Sequence, residues 1–385
     1  MSGKPSKRKI AIIAGSRGEY GYFRPVIKEI IKKPNLDYGL IVTNMHVLDS
    51  FGSTIDEIKK DGFKIHAEIH NTFDGYNRLT MVKSLSVFKM QLPEILKQMG
   101  ADMILLGGDR GEQLMAAIVG AYMYIPTAHI QAGEVSGNID GVTRHAITKF
   151  AHLHFASNED AAQRVLKMGE EPFRVFNVGA PQLDELINGE IAPEEEIYNK
   201  FGLDKEKPIL IIVQHPVTEE FDEAEKQMEE TLKAVEKFGY PAIIILNNSD
   251  AGSRAIRSAI NRLRKPFMKI FPNIPRRDYV GLLKISGAIV GNSSSGILEA
   301  PSFGLPAINI GNRQAGRMQS RNVINVSHSA PEIEKAIKTA LSETFREKIK
   351  ECGNPYGDGQ SARRIVDVLG SIPINDKLLI KKITY

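Results

Sequence analysis

Short apolar runs rich in isoleucine and valine recur along this chain, each followed by a stretch whose apolar residues return every three to four positions. That alternation restricts the fold more than any other feature. Residues 10–14, 40–42, 103–106, 127–130, 154–156 and 175–178 are predicted strands, with helices such as 23–32, 113–124 and 159–167 between them. A strand–helix–strand order predicts a mostly parallel sheet. After the charged, turn-rich stretch 188–208 a second series begins, with strands at 209–213, 242–246, 288–290 and 307–310 and helices such as 223–237. The chain reads as α/β with two doubly wound domains; at about 150 residues per domain its 385 residues suggest two or three, of which two are expected. Residues 1–180 are expected to form the first, 181–360 the second, with 361–385 as a closing segment. Such domains bind ligands outside the carboxyl ends of their strands, so a shared cleft lined by strand-to-helix loops is expected.

Composition narrows the function classes. The chain is 42% hydrophobic and 25% charged, as in an ordinary globular protein. Net charge is +4, but the cations are scattered among 46 acidic residues, which argues against a nucleic-acid partner. Basic residues from Lys4 to Lys9 precede the apolar run 10–14, which is too short for a signal-peptide core. No apolar run reaches the 18 or so residues that span a bilayer, and the single Cys352 has no partner in the chain; a reducing cytoplasm and no membrane are expected.

Six strand-end loops carry candidate chemistry. Gly15-Ser16-Arg17-Gly18-Glu19-Tyr20-Gly21 follows the first strand and opens a helix, where glycines admit a ligand and amides face an anion. It is not a dinucleotide fingerprint, because the spacing is wrong and the second strand ends in Thr43-Asn44 rather than a carboxylate. Gly107-Gly108-Asp109-Arg110 frames a carboxylate at a strand end, a pattern equally suited to a helix cap. His129-Ile130-Gln131-Ala132-Gly133-Glu134 ends the next strand, and alternation is expected to put His129 and Gln131 on one side; a core histidine is the commoner explanation of His129. Asp140, Arg144 and His145 follow. In the second half, Gln214-His215-Pro216 and Asn247-Asn248-Ser249-Asp250 follow strands, and Gly291-Asn292-Ser293-Ser294-Ser295-Gly296 leads into a helix carrying Glu299. Amides and hydroxyls so stacked suit a diphosphate, although a serine turn capping a helix has the same look. Arg313 and Arg317 add two cations.

Singly these signals are weak, but together the sequence resembles the UDP-N-acetylglucosamine 2-epimerases, in particular the hydrolysing, sialic-acid-pathway branch. The resemblance rests on the 15–20, 108–110 and 291–296 motifs, on Gly133-Glu134-Val135-Ser136-Gly137 with Arg144-His145-Ala146-Ile147-Thr148-Lys149, on Arg313-Gln314, and on Asn354-Pro355-Tyr356-Gly357-Asp358-Gly359. It implies a GT-B-like fold of two Rossmann-like domains facing a central cleft, with a helix near 361–369 crossing back to the first. A homodimer or homotetramer is implied, with no cofactor or metal. By matching motif, Arg17 and His215 would contact the diphosphate, with Glu19, Asn248 and Arg313 nearby. Ser293, Ser294, Ser295 and Gly296 would hold phosphate, and Glu299 the ribose hydroxyls. Asp109 matches a catalytic carboxylate. Gln131 stands where many members have Glu, and Gly141 where several have an acid beside Asp140. A neutral amide accepts no proton, so the base would be Asp109, then Glu134 or Asp140, with Gln131 orienting the sugar. The expected reaction eliminates UDP to a glycal and hydrates it with inversion at C2. Rival readings are a non-hydrolysing epimerase, a hydrolysing enzyme for a 2,4-diacetamido sugar, a GT-B glycosyltransferase, and a nucleotide-sugar sensor without turnover.

Overall fold

The computed structural model describes residues 7–47, 55–73, 78–135, 139–246 and 253–384. The chain divides into two compact units, the first made of residues up to Glu185 together with those from Tyr356 onward, the second of Leu186–Pro355.

The first unit is built on seven strands, β1 (Arg8–Ala14), β2 (Leu36–Thr43), β3 (Ile65–Ile69), β4 (Met103–Gly107), β5 (Thr127–Ile130), β6 (Leu153–Ala156) and β7 (Val175–Asn177). All pair in parallel, in the order β3-β2-β1-β4-β5-β6-β7. Its helices are α1 (Arg17–Ile31), α2 (Ile55–Lys60), α3 (Arg78–Met99), α4 (Gly111–Tyr122), α5 (Ile139–Phe150), α6 (Glu159–Lys167) and α7 (Gln182–Asn188), the last running into the second unit. The pleat of β1 shows why the sheet is covered on both faces. Ile10, Ile12 and Ala14 enter one core with Phe23, Val26 and Ile27 of α1, while Ala11 and Ile13 enter another with Phe88, Leu92 and Leu96 of α3.

The second unit repeats the plan with β8 (Leu210–Val213), β9 (Ala242–Ile245), β10 (Met268–Phe271), β11 (Ala288–Gly291), β12 (Ala307–Ile310) and β13 (Val323–Val326), ordered β10-β9-β8-β11-β12-β13. Helices α8 (Glu194–Phe201), α9 (Ala224–Glu236), α10 (Ser253–Leu263), α11 (Arg276–Ile285), α12 (Ser295–Leu298), α13 (Ala330–Leu341) and α14 (Glu343–Ile349) belong to it. The chain then returns to the first unit as α15 (Ser361–Ser371) and α16 (Asp376–Leu379). Ala362, Ile365, Val366 and Leu369 of α15 join the α1 core, and the Asp184 carboxylate accepts from the Ser361 and Ala362 amides at 3.0 and 2.6 Å, capping α15.

The expected fold class, α/β with two Rossmann-like sheets, is the one observed. Three strands, β3, β10 and β13, stand where the sequence reading has none, and α1 begins at Arg17 rather than six residues later. In both sheets the strand order reverses once, at β1/β4 and at β8/β11, and the quoted loops cluster at these reversals. The carboxyl edge at such a reversal is where open α/β sheets take ligands. Among the described residues no helix is long and apolar enough to cross a membrane.

Candidate active site

The first unit's loops are fixed largely by backbone hydrogen bonds to side chains. Ser16 caps α1, its Oγ accepting from the Glu19 amide at 3.4 Å, and Glu19 Oε2 reaches back to the Gly15 amide at 2.8 Å. Glu19, which the sequence reading groups with the nucleotide-binding residues, is thereby turned inward and only 3% exposed.

The Gly108–Asp109 turn is clamped from several directions. Gly108 adopts φ +79°, donates its amide to Ile130 O at 3.1 Å, and accepts from His129 Nε2 at 2.6 Å. Burial pushes His129 down to about 3, so the ring is neutral at ordinary pH and Nε2 carries the proton given to the carbonyl. Gln113 ties the preceding residue in, accepting from the Gly107 amide at 3.2 Å and donating to Ile13 O at 3.0 Å. Upon this frame Asp109, 21% exposed, pairs with the Arg144 guanidinium, 4% exposed, whose other nitrogen donates to Gln131 O at 2.9 Å. Arg144 thus links the end of β4 to the end of β5. Its helix, α5, is held at the far end by Lys381 Nζ, which donates to Thr148 O, Lys149 O and Ala151 O at 2.9, 3.0 and 2.6 Å.

The other carboxylate candidates sit differently. Strand β5 ends at Ile130, and Gln131 takes φ +62°, so pleat alternation does not set its direction as expected; its side chain is buried. Glu134 is also buried, and its Oε1 accepts from Ser157 Oγ and from Asn158 Nδ2, the latter at 2.6 Å. It ties its loop to the start of α6. Asn248 lies outside the described residues, as do Ser136 and Gly137, and the side chains of Arg17 and Asp140 are likewise undescribed.

In the second unit one side chain organises the loops. Asn292, 1% exposed, accepts from the His215 amide at 2.7 Å and donates to His215 O at 2.8 Å, joining β8 to β11 across the reversal. Its own carbonyl accepts from Arg313 Nη1 at 3.0 Å and Gln314 Nε2 at 2.9 Å. Gly291 takes φ +133°, and a Cβ there would lie 2.1 Å from Val213 O. Ser293, Ser294 and Glu299 are partly exposed, whereas Ser295 is buried, its Oγ bonded to Glu299 Oε2 and to the Tyr279 hydroxyl. The Ser295 hydroxyl, expected to hold phosphate with its neighbours, is thus engaged with Glu299 and Tyr279. The helix here, α12, is a single turn, and Glu299 follows it rather than lying within it. Gly296 is buried. Sequence reading names Arg144 and Asn292 only as members of their motifs and Gln113 only as the start of a helix; it gives none of them its bracing role, because no local mark betrays partners 35 to 100 residues away. Among the described residues no group of three or more His, Cys, Asp or Glu is arranged to hold a metal ion.

The family model for UDP-N-acetylglucosamine 2-epimerase matches residues 28–370. The chain belongs to that family. It is an enzyme family, and the hydrolysing members are among this chain's relatives. A Legionella pneumophila protein named UDP-N,N'-diacetylbacillosamine 2-epimerase (hydrolyzing) is 35% identical over 379 residues, covering 98% of this chain and all of the relative. A Campylobacter jejuni protein named GDP/UDP-N,N'-diacetylbacillosamine 2-epimerase (hydrolyzing) is 33% identical, with 89% of this chain and 90% of the relative covered. The crystal structure of UDP-GlcNAc 2-epimerase from Neisseria meningitidis bound to UDP-GlcNAc superposes with a TM-score of 0.79 at 18% identity, covering 94% of this chain and 99% of that one. That likeness shows the fold, GT-B-like as expected. The Asp109–Arg144 pair of the first unit and the Asn292-braced serine loop of the second are the candidate site features, each within its own unit.

Proposed function

We propose that the protein is a hydrolysing nucleotide-sugar 2-epimerase, converting a UDP-linked N-acetylglucosamine-type sugar and water to UDP and the free N-acetylmannosamine-type sugar. The observation that carries this reading is the presentation of Asp109, a partly exposed carboxylate on a turn fixed by His129, Gln113 and Arg144 at the β1/β4 reversal. The C2 hydrogen is not next to a carbonyl, so it becomes labile only as the C1–O bond to the diphosphate breaks and positive charge grows at C1. The partly exposed Ser293 and Ser294, with His215, stabilise the departing UDP, and Glu299 takes the ribose hydroxyls. Arg17, Asn248, Arg313 and the Gly296 amide complete the nucleotide contacts. Asp109 removes the C2 proton, giving a glycal; water then adds at C1, and a proton returns to C2 from the opposite face. Gln131 orients the sugar, with Glu134 of the same loop and Asp140 at the start of α5 as the other acids. No resident cofactor or metal is needed for this chemistry.

A 2,4-diacetamido-6-deoxy sugar is a second reading of the substrate, favoured by the names of the Legionella and Campylobacter relatives. The enzyme serves a sialic-acid-type pathway in the cytoplasm on this reading, consistent with one cysteine and a nucleotide-sugar substrate. Incubation with a panel of UDP- and GDP-sugars in deuterated water is expected to release free nucleotide and a C2-inverted sugar carrying one deuterium at C2. Retention of the C2 hydrogen would sink the mechanism, and inverted sugar still joined to UDP would make it a non-hydrolysing epimerase.

Self-association is proposed through exposed apolar residues of the first unit, Leu79, Met81, Val82 and Met90 of α3 with Tyr122 at the end of α4 and Tyr124 just after it. Light scattering is expected to give the mass of a dimer or tetramer, and Met81→Glu with Met90→Glu to reduce it. A monomeric mass for the unaltered chain would refute this.

A further inference from the structure

Two buried carboxyl groups lie near the Asp109 turn, and the reaction proposed above gives them no task. Glu19 on α1 and Glu112 on α4 are 3% and 5% exposed. Glu19 Oε2 accepts from the Gly15 amide at 2.8 Å, while its Oε1 is buried with no hydrogen-bond partner. Glu112 Oε1 accepts from Asn44 Nδ2 at 2.7 Å. Glu19 touches the turn itself: its Cγ lies 3.9 Å from where a Cβ on Gly108 would stand, and Tyr22 and Phe23 of the same helix close on Gly107 and Gly108. The Gly15 loop in turn abuts Thr43 and Asn44 at the end of β2. Glu19 thus joins the loops after β1 and β4, and the Gly15 loop it holds abuts the end of β2.

An ionised carboxylate with one oxygen unsolvated and unpaired is costly, and a second buried carboxyl nearby raises that cost. A proton removes it. Burial first, then Glu112, push Glu19 up to about 8, against the opposing pull of the Gly15 amide, Arg110 and Gln113. The charged or titratable groups around it are Glu112 and Arg110 from the β4–α4 side and Tyr22 of its own helix, which meets Gly108 beside it; His46, on the β2 side, meets the ring of Tyr20 edge to face.

We propose that Glu19 is a positioning residue that works as a neutral carboxylic acid, holding the Gly15, Asn44 and Gly108–Asp109 loops together, and that its ionisation loosens the turn that carries Asp109. The proposal rests on the catalytic reading of Asp109 only for its effect on turnover. Because Glu19 binds its proton more tightly folded than unfolded, stability is fullest below its ordinary value of 4.5 and is lost as pH rises toward about 8.

The test follows the carboxyl directly. In protein labelled with carboxyl-13C glutamate, one resonance is expected to titrate near pH 8 and to be missing from Glu19→Gln. In turnover assays kcat is expected to fall about tenfold per pH unit above that point with KM little changed, whereas Glu19→Gln, a permanently neutral isostere, keeps kcat within about threefold at pH 7 and lacks the alkaline fall. Glu112→Gln removes the neighbouring charge and should shift both titrations to lower pH. A Glu19 resonance titrating near 4.5, an unchanged alkaline limb in Glu19→Gln, or a hundredfold loss in that variant at pH 7 with its fold intact would each overturn the proposal. If no nucleotide sugar is turned over, the functional reading fails, while the resonance still decides the state of Glu19.

Discussion

In Asp109→Asn, kcat is expected to fall a hundredfold or more, the loss typical of a removed general base, while UDP affinity stays within about threefold. The isosteric amide keeps an oxygen for the Arg144 guanidinium, and the turn is held by contacts the substitution does not touch. These are the Gly108 amide on Ile130 O, the His129 ring on Gly108 O, and Gln113 between Gly107 and Ile13. The variant should therefore fold, and its loss should appear in chemistry rather than in binding. Single-turnover kinetics beside a UDP titration and a melting curve separate these. A loss smaller than about tenfold would make Asp109 a structural partner of Arg144 and move the base elsewhere. Arg144→Met is the natural companion, since it leaves Asp109 chemically intact but frees it and the Gln131 carbonyl from their shared anchor.

How much of this was legible in the sequence depended on where each residue sits. Central strands such as β4 and β8 are covered on both faces, so they spell unbroken apolar runs and were found. The missed strands β3, β10 and β13 all lie at sheet edges, where His66 and Glu68, Lys269, and Asn325 interrupt the run. The start of α1 was hidden because Gly18 and Gly21 depress helix propensity in its first turns, whereas Ser16 capping and the burial of Tyr20 and Phe23 outweigh that cost. The strand-end motifs were readable because glycine beside a carboxylate or serines at a strand end is a local pattern. Their supports were not: Arg144 reaches Asp109 across 35 residues, and Asn292 reaches His215 across 77. The inward turn of Glu19 was equally invisible, since a capping glutamate and a ligand-facing one have the same sequence signature.

Gly291→Ala is expected to be the most disruptive small substitution in the second unit. The residue holds φ +133°, which an alanine rarely adopts, and the added Cβ would stand 2.1 Å from Val213 O and 2.7 Å from its carbon. Both obstacles are backbone of the adjacent strand β8, so no side-chain rotation relieves them. Relief requires β11 to move away from β8, breaking the register that pairs Gly291 with Val213 and pulling Asn292 off the His215 backbone. Backbone strain of this kind costs about 1–3 kcal/mol before any hydrogen bond is lost, and a lost pair adds about 1 kcal/mol each. The expected result is a fall in the urea midpoint equivalent to at least about 2 kcal/mol, with UDP affinity in the folded fraction reduced more than about tenfold because the serines no longer stand beside His215. Gly21→Ala is the matched comparison. It adds the same methyl inside α1, at ordinary φ and with nothing outside the helix's own backbone within 4 Å, so it is expected to stabilise by up to about 1 kcal/mol. Opposite signs for one chemical change would locate the effect in the β8–β11 contact. Equal midpoints for Gly291→Ala and the unaltered protein would show that this junction yields, and would remove it as the fixed base of the nucleotide loop.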